Sequence, residues 1–148
     1  MRRKPRHRTA RCILFRGNKF LLADHNRSRR RKNAPPIKWG LPGGHIEWRE
    51  DPLDAARREV LEELNVHLGQ LVPVGDYLYK NRLHAIFAAQ CDVAEFELDF
   101  SELATVHWFT EPEIEQLALA DQLHAGYEHQ AIRDYLALRH APTEASGD

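Results

Sequence analysis

The segment GGHIEWREDPLDAARREVLEELNV, Gly43 to Val66, constrains this chain more than any other. Leu53, Ala56, Val60 and Leu64 recur at helical spacing, which predicts a helix from about Asp51 to Leu64 with one buried stripe. Asp51 is a favourable N-cap, Pro52 suits the first helical position, and Asp54 completes an arrangement like a capping box. Asn65 can take the left-handed conformation that ends many helices. Glu59, Glu62 and Glu63 depart from routine construction: three and four residues apart, they share one face. Like charges at these spacings cost an isolated helix roughly 0.2–0.5 kcal/mol per pair. Glu62 and Glu63 also sit in the last turn, where the helix dipole disfavours an anion by about 0.3–1 kcal/mol. Arg58 offsets part of this through Glu62, four residues on.

A hard divalent cation such as Mg²⁺ or Mn²⁺, which prefers oxygen ligands, would turn the remainder favourable. A solvated acidic face laced with Arg57 and Arg58 is the simpler account of the helix taken alone. The neighbouring residues decide between the two. From Gly44, a glutamate follows after five residues (Glu50). Arg58 and Glu59 lie beyond it, then apolar Val60, then Glu62 and Glu63. A chain-reversing position, Asn65, and apolar Val66 close the pattern. This arrangement, with LPGG just before it, resembles the Nudix box, the signature of a family of hydrolases acting on nucleoside diphosphates linked to another group. VHWFTEPEI, near the C-terminus, is similar to that family's strand-to-helix segment. Two positions depart from the family pattern. Asn65 stands where glycine is usual, and asparagine is the next best residue for a left-handed conformation. Arg49 replaces a common glycine, and it is expected to alter the turn or to contact a ligand phosphate.

The resemblance implies an α/β fold in which a loop, helix and loop pack on a mixed sheet, giving an α/β/α sandwich. It implies that Glu59, Glu62 and Glu63 bind Mg²⁺ or Mn²⁺ with the backbone carbonyl of Gly43, while Gly44 shapes the loop. Glu50 and Arg58 would orient those ligands through a salt bridge. The general base stays open among Glu62, Glu63 and Glu102; Glu102, six residues before Trp108, resembles an acidic position that supplies a ligand or base in relatives, and reads equally well as a solvated loop acid.

Elsewhere the chain alternates strands and helices, which argues for a sheet covered by helices. ARCILFRGNKFLLA reads as a β-hairpin around Gly17-Asn18. DHNRSRRRKNAPPIKWGLPGG reads as one long loop, LVPVGDYLY, RLHAIFAAQCDV and TVHWF as strands. Thr110 and Glu113 predict a capping box opening a helix, and a last helix is expected from about Asp121 to Leu138, with Leu123, Tyr127, Ala131 and Tyr135 on one stripe. Residues 1–140 are expected to form a single domain with a flexible basic arm over 1–8, and 141–148 a disordered tail.

Charge is unevenly spread. Of 21 Lys and Arg, 19 lie at or before Arg82. This suggests that one surface meets a polyanion, although two solvated faces that differ in sign would look the same. Arg29 and Arg31 in the RSRRRK stretch could hold substrate phosphates, as could the arm. Trp39, Tyr77, Tyr79 and Trp108 could stack on a base, against the usual placing of aromatics from strands in the core. His45, His84 and His107 have no metal-site spacing and receive no role.

No apolar run is long enough to span a bilayer, and MRRKPRHRTAR has no apolar segment behind it, so no membrane partner or secretory signal is expected. Cys12 and Cys91 form no disulfide framework, in keeping with a reducing cytoplasm. The expected function is a Mg²⁺-dependent pyrophosphohydrolase acting on a nucleotide or nucleotide-linked metabolite. The rivals are removal of the 5′ pyrophosphate from RNA and a silent nucleotide-sensing domain; a homodimer is compatible with either. Retention of every box glutamate and of Arg58 favours an enzyme.

Overall fold

The computed structural model describes residues 7–26 and 35–140. The first six residues of the basic arm, the RSRRRK stretch with Arg29 and Arg31, and the tail from 141 onward lie outside them. Among the described residues seven strands and three helices follow one another: β1 (His7–Arg16), β2 (Lys19–Asp24), β3 (Trp39–Gly40), β4 (Gly43–His45), α1 (Pro52–Leu64), β5 (Val72–Tyr79), β6 (Arg82–Gln90), β7 (Thr105–Thr110), α2 (Glu111–Leu119) and α3 (Glu128–His140).

The strands form one mixed sheet with a central path β3-β2-β1-β6-β5, while β4 pairs with β1 and β7 with β2. β1 and β6 run parallel, Arg11 opposite Ile86 and Phe15 opposite Gln90. The other pairings are antiparallel. Because side chains alternate across a strand, β1 serves two cores. Ala10, Cys12 and Leu14 face the α1 side, with Ala85, Phe87 and Ala89 of β6 and with Val60 and Leu64 of the helix. Ile13 faces the other side, with Ile86, Ala88, Ile114 of α2 and Ile132 and Tyr135 of α3. Each fully buried Leu, Ile or Val contributes about 1.5–3 kcal/mol, so the two layers together hold the sandwich. The α/β/α arrangement expected from the sequence is the one observed.

Three local expectations need correction. The segment expected to be one long loop carries β3 and β4, and β2 already extends through Asp24 at its start. Those strands were obscured by prolines and glycines and are too short for periodicity to register. The last helix begins at Glu128, not near Asp121: Asp121 has φ 55° and Gly126 φ 98°, and both interrupt a helix. Leu123 still joins the same core as Ala131 and Tyr135, from a bridge to Trp39 instead of a helical turn. The Asp51 side chain makes no capping hydrogen bond, although its backbone is extended as an N-cap requires. By contrast, Thr110 and Glu113 form the expected reciprocal box, with the Thr110 N–H donating to Glu113 at 2.8 Å.

At the β5–β6 end of the sheet a buried polar group is satisfied by aromatic neighbours. His84 Nδ1 lies 2.6 Å from the Tyr127 hydroxyl, and Tyr77 donates to Asp134 of α3. Burial, and then Arg11, His124 and His45, push the His84 imidazole down to about 4. No helix among the described residues is long and apolar enough to cross a membrane.

Candidate active site

Helix α1 presents its glutamates to the loop that precedes it. Its C-terminus ends on Asn65, in the left-handed region at φ 57°, whose N–H returns to the Leu61 carbonyl at 2.9 Å. At the other end of the segment, β4 passes so close to β1 that only glycine fits. A Cβ on Gly43, which has φ 141°, would fall 2.3 Å from the Ala10 carbonyl oxygen. A Cβ on Gly44 would fall 2.6 Å from the Glu59 carboxylate. The two glycines thus let the loop backbone lie directly against the acidic face of the helix.

Glu63 is almost wholly buried, at 2% exposure. One of its oxygens accepts the Gly43 N–H at 2.8 Å and the other lies 3.2 Å from His25 Nδ1. Glu59 is also buried, and its carboxyl is raised above the ordinary range, first by burial, then by Glu63 and, against the pull of Arg58, by Glu62. Glu62 is the open member of the set, its side chain 45% exposed.

Arg58 organises the cluster. Its guanidinium grips Glu50 with two bonds, at 2.8 and 3.0 Å, and donates to Glu59 at 3.1 Å and Glu62 at 3.2 Å. A further bond at 2.9 Å reaches the His45 carbonyl in β4. The Arg58 contact holds the Glu50 carboxyl below its usual range, and the surrounding carboxylates push Arg58 itself upward. His45 is held below the normal imidazole range by burial, then by Arg8, Arg11 and Arg82.

Among the described residues, no three His, Cys, Asp or Glu side chains are already drawn together as a metal-binding group. The donor set nonetheless suits a hard divalent cation. Glu59, Glu62 and Glu63 offer only oxygen, two of them are buried, and the Glu59 carboxyl, raised by burial and then by its acidic neighbours, would be relieved of both by a cation. Arg58 now supplies part of that positive charge.

The remaining expected residues are more dispersed. Glu102 lies in a turn fastened to α1, where the Asp99 N–H donates to the Glu63 carbonyl at 3.1 Å and the Glu102 N–H to the Asp99 carbonyl at 2.9 Å. Among the described residues its carboxylate makes no hydrogen bond or ion pair with the cluster. Arg49 takes φ 63° and stacks its guanidinium 4.3 Å from the Trp48 ring. Trp39 packs edge-on against Phe109 at 5.1 Å, within the core on the α3 side. Tyr79 is half-buried between His84 and His124. His25 was missed: a single histidine after a strand gives no sequence signal that it will meet a glutamate 38 positions later.

A family model described as the NUDIX domain matches residues 5–131. The chain is 31% identical over 128 residues to diphosphoinositol polyphosphate phosphohydrolase 2 of Rattus norvegicus, covering 80% of this chain and 66% of the rat protein. It is 27% identical over 131 residues to the NAD-capped RNA hydrolase NudC of Vibrio parahaemolyticus, covering 85% of this chain and 48% of NudC. It therefore spans just under two thirds of one curated relative and about half of the other. Among solved structures it superimposes on a NUDIX hydrolase from Nitrosomonas europaea with a TM-score of 0.71 at 26% identity, each chain covered to 95%.

Proposed function

The chain belongs to the Nudix family, and from that membership we propose that it is a divalent-cation-dependent pyrophosphohydrolase, cleaving the diphosphate bond of a nucleotide or nucleoside diphosphate-linked metabolite by attack of water on phosphorus. The observation that carries this reading is the Arg58-centred cluster: Glu50, Glu59 and Glu62 gathered on one guanidinium, with Glu63 bound to the glycine loop beside them. Mg²⁺ or Mn²⁺ held by Glu59, Glu62, Glu63 and the Gly43 carbonyl would neutralise the diphosphate and acidify a bound water.

The chain's own groups supply positioning and proton transfer. Glu50 and Arg58 fix the helix against β4, so the glutamates keep their orientation. Glu63 is committed by the Gly43 N–H and His25, which favours it as a fixed anionic anchor. Glu62 faces solvent, so its carboxylate is the better placed acceptor for the proton of the attacking water. Glu102 is the reserve for that role, carried by a turn tied to the same end of the helix. Charge stabilisation and orientation would dominate the rate. Two free, buried cysteines agree with a cytoplasmic setting.

A panel of nucleotide substrates with Mg²⁺ or Mn²⁺, scored for phosphate, pyrophosphate and nucleoside monophosphate, tests the reading. Release of a monophosphate product that stops with EDTA is expected; no turnover of any diphosphate would overturn it. Similarity to an NAD-capped RNA hydrolase supports RNA 5′ ends as the second substrate class. That reading requires RNA binding that weakens steeply with salt.

A further inference from the structure

Beside the box, a cleft of about 670 Å³ opens between the start of β1, the loop from β4 to α1, and the β5–β6 turn. Its size is within the usual range for a small-molecule site. Arg8, Arg49 and Arg82 line it, one from each of those three segments. The strand register brings two of them together. β1 lies parallel to β6 with His7 opposite Leu83, so Arg8 and Arg82 leave the same end of the sheet. The Ile46 N–H donates to the Arg8 carbonyl at 3.0 Å and fixes the third wall beside them.

Acids are present in this cleft but are turned elsewhere. Glu50 is gripped twice by Arg58, and Glu47 lies 3.7 Å from the same guanidinium. Among the described residues, none of the Arg8, Arg49 and Arg82 guanidinium groups is ion-paired with a carboxylate. Three cations that line one cleft, with no carboxylate partner among the described residues, repel one another, and a phosphate group would relieve that repulsion with paired N–H···O bonds. Arg49 is also held at φ 63°, a left-handed conformation that strains an L-residue and that glycine would adopt freely. Its side chain is kept there at a cost to the fold. Trp48, 84% exposed, stands at the rim under Arg49.

We propose that this cleft is an anion-binding subsite in which Arg8, Arg49 and Arg82 hold a phosphate carried by the substrate away from its scissile diphosphate, selecting polyphosphorylated small molecules. The inference rests on the reading of the glutamate cluster as the hydrolytic centre. The two places are joined by one side chain, because Arg58 contacts the glutamates and also the His45 carbonyl in the cleft wall. A substrate spanning both would present its diphosphate to the cluster and its other phosphates to the arginines.

The test is a binding titration in EDTA, so that no turnover occurs, using inositol hexakisphosphate as a compact polyphosphate probe, ADP as a diphosphate probe and a short 5′-triphosphorylated RNA. Calorimetry of wild type should give tighter binding of inositol hexakisphosphate than of ADP. R8Q/R82Q should weaken the hexakisphosphate about tenfold or more, and R49Q should weaken it by a smaller factor. A control, K19Q/R133Q, removes two charges outside the cleft and should change binding less than about twofold. Circular dichroism checks that each variant stays folded; the residues changed are exposed.

Equal losses in control and cleft variants, or no preference for the hexakisphosphate over ADP, would overturn the subsite. Tight RNA binding with weak hexakisphosphate binding would overturn the small-molecule assignment. The E63Q variant should retain the cleft's binding. Retained binding in a wild-type protein that hydrolyses nothing would sink the hydrolase reading alone.

Discussion

The Glu63 carboxylate accepts the Gly43 N–H at 2.8 Å, closing a loop of twenty residues from the β4 turn to the last turn of α1. That bond sets the spacing of the box in three dimensions. A buried carboxylate satisfied by a backbone N–H is costly to remove, because the partner is left without a substitute in a site closed to water.

Glu62→Gln and Glu63→Gln should each lower metal-dependent turnover by at least about a hundredfold, the scale usual for lost catalytic charge. Glu63→Gln should also destabilise the fold by about 1–3 kcal/mol, because its buried charge-assisted bond is weakened. Glu62, more open, should show the kinetic loss with little change in urea midpoint. Unchanged turnover in either variant would remove that residue from the mechanism.

Gly44→Ala places a methyl group 2.6 Å from the Glu59 carboxylate. The carboxylate must shift, so turnover should fall by about tenfold or more while stability drops by under about 1.5 kcal/mol. Gly43→Ala meets backbone, 2.3 Å from the Ala10 oxygen, and should cost more in stability than Gly44→Ala. Thermal unfolding of the pair ranks them; the reverse order would contradict the packing described.

Arg58→Lys keeps one charge and loses the fork that spans Glu50, Glu59, Glu62 and the His45 carbonyl. A lysine cannot reproduce bidentate binding of Glu50. Activity should fall more than tenfold, with partial recovery at raised metal concentration if the released glutamates are competent ligands. Metal titration of kcat distinguishes this from simple misfolding.

His84 titrates at about 4 in the folded chain, below the ordinary imidazole value of 6.5. Its folded value is depressed, so its contribution to stability is fully present above pH 6.5. That contribution is lost as pH falls from 6.5 towards 4, where the unfolded chain binds a proton that the folded chain refuses. The groups facing it are the Tyr127 hydroxyl and the Tyr79 ring, with Arg11, His124 and His45 supplying positive charge. The urea midpoint of wild type should therefore decline between pH 7 and pH 4.5. His84→Gln should flatten that decline, and an unaltered slope would refute the assignment.

Much of the site was legible because helical periodicity and a fixed spacing of charged residues are local properties. Leu53, Ala56, Val60 and Leu64 announced the stripe of α1, and Asn65 its end, from residues within one segment. What stayed hidden was set by partners far along the chain. β3 and β4, of two and three residues, exist because β2 and β1 pair with them, and no short run of Trp-Gly or Gly-Gly-His declares a strand. His25 meets Glu63 only after β2 and α1 have docked on the same sheet. Leu123 kept the correct stripe for the wrong reason, since side-chain burial does not report the backbone that delivers it.

The parallel partnership of β1 and β6 joins stretches separated by some seventy residues, with Arg11 beside Ile86. A ribosome releasing this chain must therefore emit the whole acidic segment before its central ladder can close. Until then the glutamates of α1 have only half a platform beneath them. A truncation that stops short of β6 should leave that helix resting on β1 and β4 alone, and slow, late-forming contacts should govern when the site first appears.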